Sequence, residues 1–235
     1  MTPVAVQSQT TLTGLVLVDH LLLGISTGVF REERGDWPAL TARSARVSMT
    51  AIEFSAMSEP ELPGLIDYLH TGSDLPFRFV SVHGPTKDLT IDDRTLVETL
   101  ATLPPSVDAI VLHPDALRKP ELFSALGHRL VLENMDSRKS TGQTVEELAE
   151  LFKRLPDAGL CLDIAHAWSL DPTMELAHEL LDAFAARLTH VHLSSITDDC
   201  EHVPLRSEHL ELFAPLLHRC IDVPWILEAY DQHSY

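Results

Sequence analysis

The chain has 235 residues, of which 45% are hydrophobic and 22% charged, and its formal net charge is −18. Its length suits one domain with a large core, and its acidity disfavours binding to nucleic acids or anionic membranes, which require basic surfaces. It has three cysteines without paired spacing, no basic N-terminal signal and no apolar run of about 18 residues, so we expect a cytoplasmic protein without disulfides or a membrane span.

Eight short apolar runs of strand length follow one another along the chain. Nearly continuous hydrophobic runs of this kind are typical of parallel strands covered on both faces. They are Leu21–Ser26, Ala51–Ser55, Phe77–His83, Ala109–His113, Arg129–Glu133, Leu160–Asp163, Leu188–Leu193 and Trp225–Glu228. Helical patterns lie between them, and this alternation predicts an α/β fold, a single (β/α)8 TIM barrel.

The helical patterns are clearest in the second half of the chain. A capping-box pattern from Thr144 to Glu147 predicts the start of a helix. The apolar faces of three helices are marked by Leu148, Leu151, Phe152 and Leu155, by Leu180, Leu181, Phe184 and Leu188, and by Leu210, Phe213, Leu217 and Cys220. Only seven residues follow Glu228, so we expect the last helix to be missing. Residues 1–20 are interpreted as an N-terminal extension and residues 21–235 as the catalytic barrel.

Seven of the predicted strands have a carboxylate or an imidazole at or near their C-terminal end. In a TIM barrel the C-terminal ends of all strands converge at one mouth. Carboxylates buried there without a partner would cost several kcal/mol each, and a divalent cation removes that cost. The sequence therefore predicts a metal site of oxygen and nitrogen ligands. The strand-end residues are Glu53, His83, His113, Glu133, Asp163, His192 and Glu228.

Four segments resemble the xylose isomerase-like TIM-barrel superfamily, which includes endonuclease IV and sugar isomerases and epimerases. Val131–Met135 is similar to the Leu-Glu-Asn-Thr segment of endonuclease IV, and Gly159–Ala167 to its Asp-x-x-His motif. Leu112–Pro114 resembles its His-Pro turn, and His192–Ser194 its His-Leu-Asn segment. The resemblance spans roughly residues 21 to 230 and implies a xylose isomerase-like barrel.

The resemblance also implies a set of ligands for one to three divalent ions, either zinc, manganese or iron. The first set is common to isomerases and hydrolases of the superfamily, and the other two are found in endonuclease IV. The sets are Glu133, Asp163, His192 and Glu228 for the first ion, His83 and His113 with Glu133 for the second, and His166 and His202 for the third.

The third set departs from the family pattern at one position. The family has an aspartate two residues before the last histidine, where this chain has Cys200, with Asp199 beside it. Three alternatives follow: Cys200 binds zinc as a thiolate, Asp199 replaces it, or the third site is absent.

Several other polar residues have a simpler structural interpretation. A single strand-end carboxylate such as Glu53 is expected to form hydrogen bonds that fill the barrel or support a ligand. His190 shares a face with His192 but lies one layer deeper, which favours a structural role, and Cys161 is expected in the core. The histidines expected to be solvated at helices or their ends are His70, His128, His178, His209 and His218.

Two reactions suit such a site. The superfamily's common chemistry is that of sugar or sugar phosphate isomerases and epimerases, in which Glu133 or Glu228 would move a proton through a metal-stabilised enediolate. His166 is a further candidate catalytic residue. The extra histidines instead favour an endonuclease IV-like hydrolase of a phosphoester, although the net charge makes DNA an unlikely substrate. A non-catalytic metal-binding barrel is the third alternative.

Basic residues are concentrated in the predicted loops that follow the strands. On an acidic protein they would focus positive potential at the mouth, which predicts an anionic small-molecule substrate, unless these loops are merely solvated. The eight residues are Arg31, Arg34, Lys87, Arg118, Lys119, Arg138, Lys139 and Arg206. We expect Arg138, Lys139, Arg206 and Asn134 to bind substrate, and replacement of Arg138 and Lys139 by alanine to raise the Michaelis constant several-fold. The oligomeric state is not predicted.

Overall fold

Eight parallel strands close into a barrel in this computed structural model, which describes residues 21–71, 75–87 and 89–229. The first seven of these strands pair in chain order, and the eighth closes the barrel between the seventh and the first. This confirms the predicted (β/α)8 barrel. The barrel strands are β1 Leu23–Ser26, β2 Ala51–Ser55, β3 Phe79–His83, β4 Ala109–Leu112, β5 Leu130–Glu133, β6 Gly159–Asp163, β7 Leu188–Leu193 and β10 Trp225–Leu227.

An antiparallel pair of two-residue strands lies outside the barrel. It consists of β8, Ser195–Ile196, and β9, His202–Val203. This pair was not predicted from the sequence, because two-residue strands carry no periodicity. The hairpin follows β7 directly and so places His202 beside the mouth.

Seven α-helices surround the barrel within the described part of the chain. Their apolar residues pack against the outer face of the strands and form the main core. The helices are α1 Trp37–Val47, α2 Leu62–His70, α3 Asp93–Ala101, α4 Val145–Arg154, α5 Ile164–Leu170, α6 Glu175–Phe184 and α7 Ser207–Leu217. Between β4 and β5 the covering segment is a 3₁₀ helix, Pro120–Arg129, which is interrupted where Gly127 adopts a φ of 58°.

The start of α4 follows the predicted capping pattern with one difference. The hydroxyl of Thr144 accepts a hydrogen bond from the Glu147 N–H at 3.3 Å. The carboxylate of Glu147 reaches back to the N–H of Gln143 at 2.8 Å, one residue before the position that a capping box would use.

The interior of the barrel has an apolar floor below a polar layer. The floor is formed by Ala51, Phe79, Ala109, Val111, Val131, Cys161 and Ile226. Strand register brings polar residues side by side above it, since Glu53 pairs with Ser81 and Asp163 pairs with His192. Polar side chains are thus collected at the C-terminal ends of the strands, where barrel enzymes have their active sites.

Two expectations fall on parts of the chain outside the described residues. These are the N-terminal extension, residues 1–20, and the absence of a last helix, which concerns residues 230–235. Among the residues that are described, no helix combines the length and the apolar character that crossing a membrane requires.

Candidate metal centre

The predicted ligands come from the C-terminal ends of six barrel strands and from the segments that follow. His83, Glu133 and Asp163 are the last residues of β3, β5 and β6. His192 is the penultimate residue of β7, and His113 and Glu228 directly follow β4 and β10, respectively. His166 lies in α5 and His202 in β9. Parallel closure of the barrel brings these positions, distant in sequence, to one end.

Glu133 lies at the centre of this arrangement, and its two oxygens face different histidines. Oε2 is 3.2 Å from Nε2 of His83 and 3.2 Å from Nε2 of His113. Oε1 is 3.2 Å from Nδ1 of His192 and 3.3 Å from Nδ1 of His166. Because the side chain is 1% exposed, these imidazoles form its immediate environment, and one carboxylate connects two groups of donor atoms.

Three groups at the mouth have donor atoms that all lie within 4.8 Å of one another. The first two coincide with sets that the family resemblance implies, and the third joins the predicted His166 and His202 to Asp163, which was predicted for the first ion only; their role as metal ligands stays a prediction. The groups are Glu133, Asp163, His192 and Glu228; His83, His113 and Glu133; and Asp163, His166 and His202.

Hydrogen bonds to backbone carbonyls fix the tautomers of two histidines. Nδ1 of His83 lies 2.9 Å from the carbonyl of Gly84, and Nδ1 of His166 lies 2.9 Å from the carbonyl of Asn134. A carbonyl only accepts, so Nδ1 carries the proton and Nε2 keeps its lone pair in the neutral ring. This is the state in which metal-binding histidines are usually held.

Several buried polar atoms fit a divalent cation. Oδ2 of Asp163, Oε2 of Glu228 and Nδ1 of His113 are buried and have no hydrogen-bond partner among the described residues. Leaving such atoms unsatisfied costs about 1–3 kcal/mol each. Imidazole and carboxylate donors match zinc, manganese or iron(II), and carboxylates also suit magnesium. The residues present therefore fit the metal that the resemblance implies.

The pKa shifts of two carboxyl groups at the mouth also fit a divalent cation. Burial raises the pKa of Glu228 well above its usual range, and the carboxylates of Asp163 and Glu133 contribute to that rise. Burial also opposes the ionisation of Glu133, but the imidazoles of His192 and His113 outweigh it and hold the pKa of this carboxyl well below its usual range. The histidines thus favour the ionised form of Glu133, whereas Glu228 has an unfavourable charge that a divalent cation at the mouth would stabilise.

Neither proposed replacement for the missing family aspartate joins the third group. Cys200 is buried with φ 56°, and its Sγ lies 3.4 Å from the hydroxyl of Ser137. Among the described residues, neither Cys200 nor Asp199 belongs to a group with ligand spacing. Asp136 was not among the predicted site residues, yet it is buried, with Oδ2 3.7 Å from Nε2 of His166. Its position three residues after Glu133 was the available signal.

The structure gives the predicted substrate-binding residue Asn134 a different set of contacts. The side chain is 1% exposed. Its Nδ2 donates to the carbonyl of Asp163 and its Oδ1 accepts from the N–H of Asp163, both at 2.8 Å. Both ends of the amide are therefore occupied, and we propose that Asn134 positions Asp163 rather than contacting substrate.

The two neighbouring bases that were expected to bind an anion are paired with acids. Arg138 forms hydrogen bonds to both oxygens of Asp136, at 3.1 and 2.6 Å. Nζ of Lys139 lies 2.7 Å from Oδ2 of Asp115. Arg206 is exposed at the start of α7, where its backbone N–H donates to the hydroxyl of Ser195. These pairs weaken the argument for an excess of positive charge at the mouth.

The expectation that His209 is solvated was wrong. The residue is buried between the rings of Trp168 and Phe213, and its Nδ1 lies 2.8 Å from the hydroxyl of Ser195. Burial is the largest cause that lowers the pKa of His209. The helical pattern of α7 was correct, but it could not show that the hairpin after β7 covers this face.

Sequence comparison places the C-terminal half of the chain in a known family. Residues 115–235 match the family model described as xylose isomerase-like TIM barrel. A search of curated proteins finds no match.

Solved structures share the fold at low sequence identity. One is the probable 3-DHS dehydratase AsbF of Bacillus anthracis, involved in petrobactin synthesis, with a TM-score of 0.57 and 12% identity over 91% of this chain and 94% of that one. Another is the 3-keto-D-glucoside 4-epimerase YcjR of E. coli, with a TM-score of 0.56 and 12% identity over 92% and 94%. A third is a xylose isomerase-like barrel protein of Mycobacterium smegmatis in complex with magnesium, with a TM-score of 0.53 and 14% identity over 86% and 84%.

Proposed function

This chain belongs to the xylose isomerase-like TIM barrel family, and we propose that it is a divalent-metal-dependent enzyme of the sugar isomerase or epimerase type. One observation carries the proposal: four side chains at the ends of four separate strands converge so that their donor atoms lie within 4.8 Å of one another. Three carboxylates and one imidazole in such a space suit a divalent cation. The substrate would be a small polyhydroxylated molecule.

A cation held by these four side chains would supply Lewis-acid polarisation of substrate oxygens. The chain's own residues would then position the ligands and move the proton. Asn134 holds the backbone of Asp163 through its two hydrogen bonds. The Glu133 side chain is 1% exposed, whereas that of Glu228 is 14% exposed. We therefore assign proton transfer at a substrate carbon to a carboxylate oxygen of Glu228, and leave Glu133 as a ligand.

The choice between an anionic and a neutral substrate depends on the loops. Because Arg138 and Lys139 are paired with Asp136 and Asp115, they supply less net charge than the sequence suggested. Among the residues predicted to bind substrate, Arg206 is the remaining candidate for contacting an anionic group. A neutral sugar or polyol is thus as compatible with this mouth as a sugar phosphate.

The second candidate function is a phosphoester hydrolase with two or three metal ions. The observation that favours it is the pair of additional donor groups, one with His83 and His113 and the other with His166 and His202. Several metal ions near one another suit the activation of water and the neutralisation of charge in phosphoester cleavage. The net charge of −18 makes a nucleic acid polymer a poor candidate substrate.

Hydrogen exchange at carbon distinguishes the two functions. Manganese-loaded protein is incubated in D2O with a panel of aldoses, ketoses and their phosphates, and proton NMR detects deuterium entering the substrate. The same protein is tested for phosphate release from monoesters and diesters. Glu228→Gln is compared with Glu121→Gln, which alters a surface ion pair with Arg154.

We expect carbon-bound deuterium with the wild type and with Glu121→Gln, and none with Glu228→Gln. Phosphate release without carbon exchange would select the hydrolase instead. If the metal-loaded protein does neither across the panel, the enzymatic proposal fails.

A further inference from the structure

A second polar cluster lies inside the barrel, beneath the mouth, and consists of Glu53, Cys161, His190 and His192. We call it the inner cluster. All four residues have 0% exposure. Strand register explains their proximity, because Cys161 of β6 pairs with His190 of β7, and His192 follows two residues later on the same inward face. Only His192 is shared with the donor groups at the mouth.

Three residues of the inner cluster have the spacing of metal ligands, and the fourth, Glu53, lies close to two of them. Oε2 of Glu53 is 3.6 Å from Nε2 of His190 and 3.1 Å from Nε2 of His192. Donor atoms of Cys161, His190 and His192 all lie within 4.8 Å of one another. Zinc bound tetrahedrally at about 2.0–2.3 Å separates neighbouring ligand atoms by about 3.3–3.8 Å. Small side-chain shifts would therefore place these atoms around one ion.

Several polar atoms of the inner cluster have no hydrogen-bond partner among the described residues. Neither ring nitrogen of His190 has a hydrogen-bond partner among the described residues, and Oε1 of Glu53 has none either. By contrast, Oε2 of Glu53 is approached by the hydroxyl of Ser81 at 3.0 Å and by His192. A fully buried imidazole and carboxylate are normally satisfied. Because His190 also lies within ligand spacing of the Cys161 sulfur, these unsatisfied atoms indicate a missing partner rather than an ordinary hydrogen-bond network.

We propose that Glu53, Cys161, His190 and His192 form a zinc site inside the barrel, distinct from the metal centre at the mouth. The cysteine gives this site its chemical character, because thiolate selects zinc over manganese or magnesium. Binding converts the Cys161 thiol to a thiolate, and its proton leaves to solvent. The site is structural in kind, since four protein side chains complete a tetrahedral shell and leave no position for substrate.

His192 connects the inner cluster to the mouth. Its Nε2 faces Glu53, while its Nδ1 lies 3.2 Å from Oε1 of Glu133 and 3.2 Å from Oε1 of Glu228. Ions at both nitrogens require the ring proton to leave to solvent as well. The inner site has three ligands of its own, so it can bind zinc whether or not the mouth binds a metal.

Cobalt(II) substitution tests the inner site through a signature that the mouth cannot give. The full-length protein is stripped of metal and titrated with cobalt. Thiolate-bound cobalt produces an intense near-ultraviolet charge-transfer band, whereas oxygen and nitrogen ligands produce only weak visible bands. We expect the intense band with the wild type and its loss with Cys161→Ser. The matched control is Cys200→Ser, which alters another buried cysteine and should keep the band.

Absence of the band in the wild type, its persistence in Cys161→Ser, or its loss in Cys200→Ser would each overturn the proposal. A second measurement does not depend on the folding of any variant. X-ray absorption at the zinc edge of the wild-type protein should show a sulfur neighbour at about 2.3 Å, and a purely oxygen and nitrogen shell would contradict the site. Because carbon exchange reports on the mouth and sulfur ligation on the inner cluster, either proposal can fail without the other.

Discussion

Asn134 and Asp163 exchange two hydrogen bonds of 2.8 Å, side chain to backbone, across the C-terminal ends of β5 and β6. The amide thereby extends the pairing of the two strands by one further residue at the point where both reach the mouth. Asp163 in turn accepts a hydrogen bond from the N–H of His166 at 2.7 Å and so begins α5. The position of one predicted metal ligand is therefore set by a neighbouring side chain.

Replacing Asn134 should destabilise the fold. Asn134→Ala leaves the N–H and the carbonyl of Asp163 without partners in a buried site, which costs about 1–3 kcal/mol for each group. Urea denaturation measures the loss, with Ser124→Ala as an exposed control whose hydroxyl also bonds to a backbone carbonyl. Surface changes of that kind stay within about 0.5 kcal/mol, and an Asn134→Ala effect no larger than this would contradict the assigned role.

Manganese should stabilise the protein through the mouth. At a concentration about 100 times the dissociation constant, a ligand adds about 2.7 kcal/mol to the free energy of unfolding, which raises Tm by about 5–10 °C for a domain of this size. Calorimetry after chelation should show this shift in the wild type. The shift should be lost in Glu133→Gln and kept in His218→Gln, which alters an exposed histidine. Equal shifts in both variants would place manganese elsewhere.

Arg138 should matter for stability more than for substrate affinity. Its guanidinium is half-exposed but binds both oxygens of the buried Asp136, so Arg138→Ala should cost about 1–2 kcal/mol. The added change Asp136→Asn should restore part of the loss because it removes the unpaired charge. Lys139→Ala serves as the comparison, with an expected effect below about 1 kcal/mol. If Arg138→Ala instead raises the Michaelis constant several-fold at unchanged stability, the residue binds substrate.

The loops after β1 and β2 are joined by an ion pair whose contribution should depend on pH. Burial opposes the ionisation of Glu61, but its hydrogen bonds from Arg34 and from the N–H of Ser58 outweigh this and lower its pKa below the ordinary value. The carboxylate therefore stabilises the fold above its ordinary pKa, and this contribution is lost as the pH falls through the lowered value.

Denaturation of the wild type and of Glu61→Gln across pH tests this contribution. The pair is partly exposed, so the difference between the two proteins should be no more than about 1 kcal/mol. It should be constant above about pH 6 and should shrink below about pH 5. A difference that grows on acidification would contradict the assignment.

The sequence was most informative where one physical rule decides the outcome. Parallel buried strands must be apolar, so the runs were visible, and the predicted starts of β1 and β3 were only two residues early. A carboxylate or imidazole at the end of such a run is costly without a partner, which made Glu133 and Asp163 conspicuous. Barrel closure then implied their convergence.

Other features of the site depend on contacts that no local pattern encodes. Asn134 follows a strand-end glutamate and resembles a substrate ligand in sequence, yet its partners lie on the next strand. The depth of Asp136 and the burial of His209 depend on how loops and the hairpin fold over the mouth. The third member of the third donor group was sought at Cys200 or Asp199, but Cys200 contacts Ser137 and the group contains Asp163 from β6 instead.

The location of the metal is the most direct test of the whole account. Crystals of the manganese-loaded protein, measured at a wavelength where manganese scatters anomalously, give its position without reference to activity. We predict an anomalous peak enclosed by Glu133, Asp163, His192 and Glu228. A map without a peak there, or with manganese bound only at other residues while these four side chains pair among themselves, would contradict it.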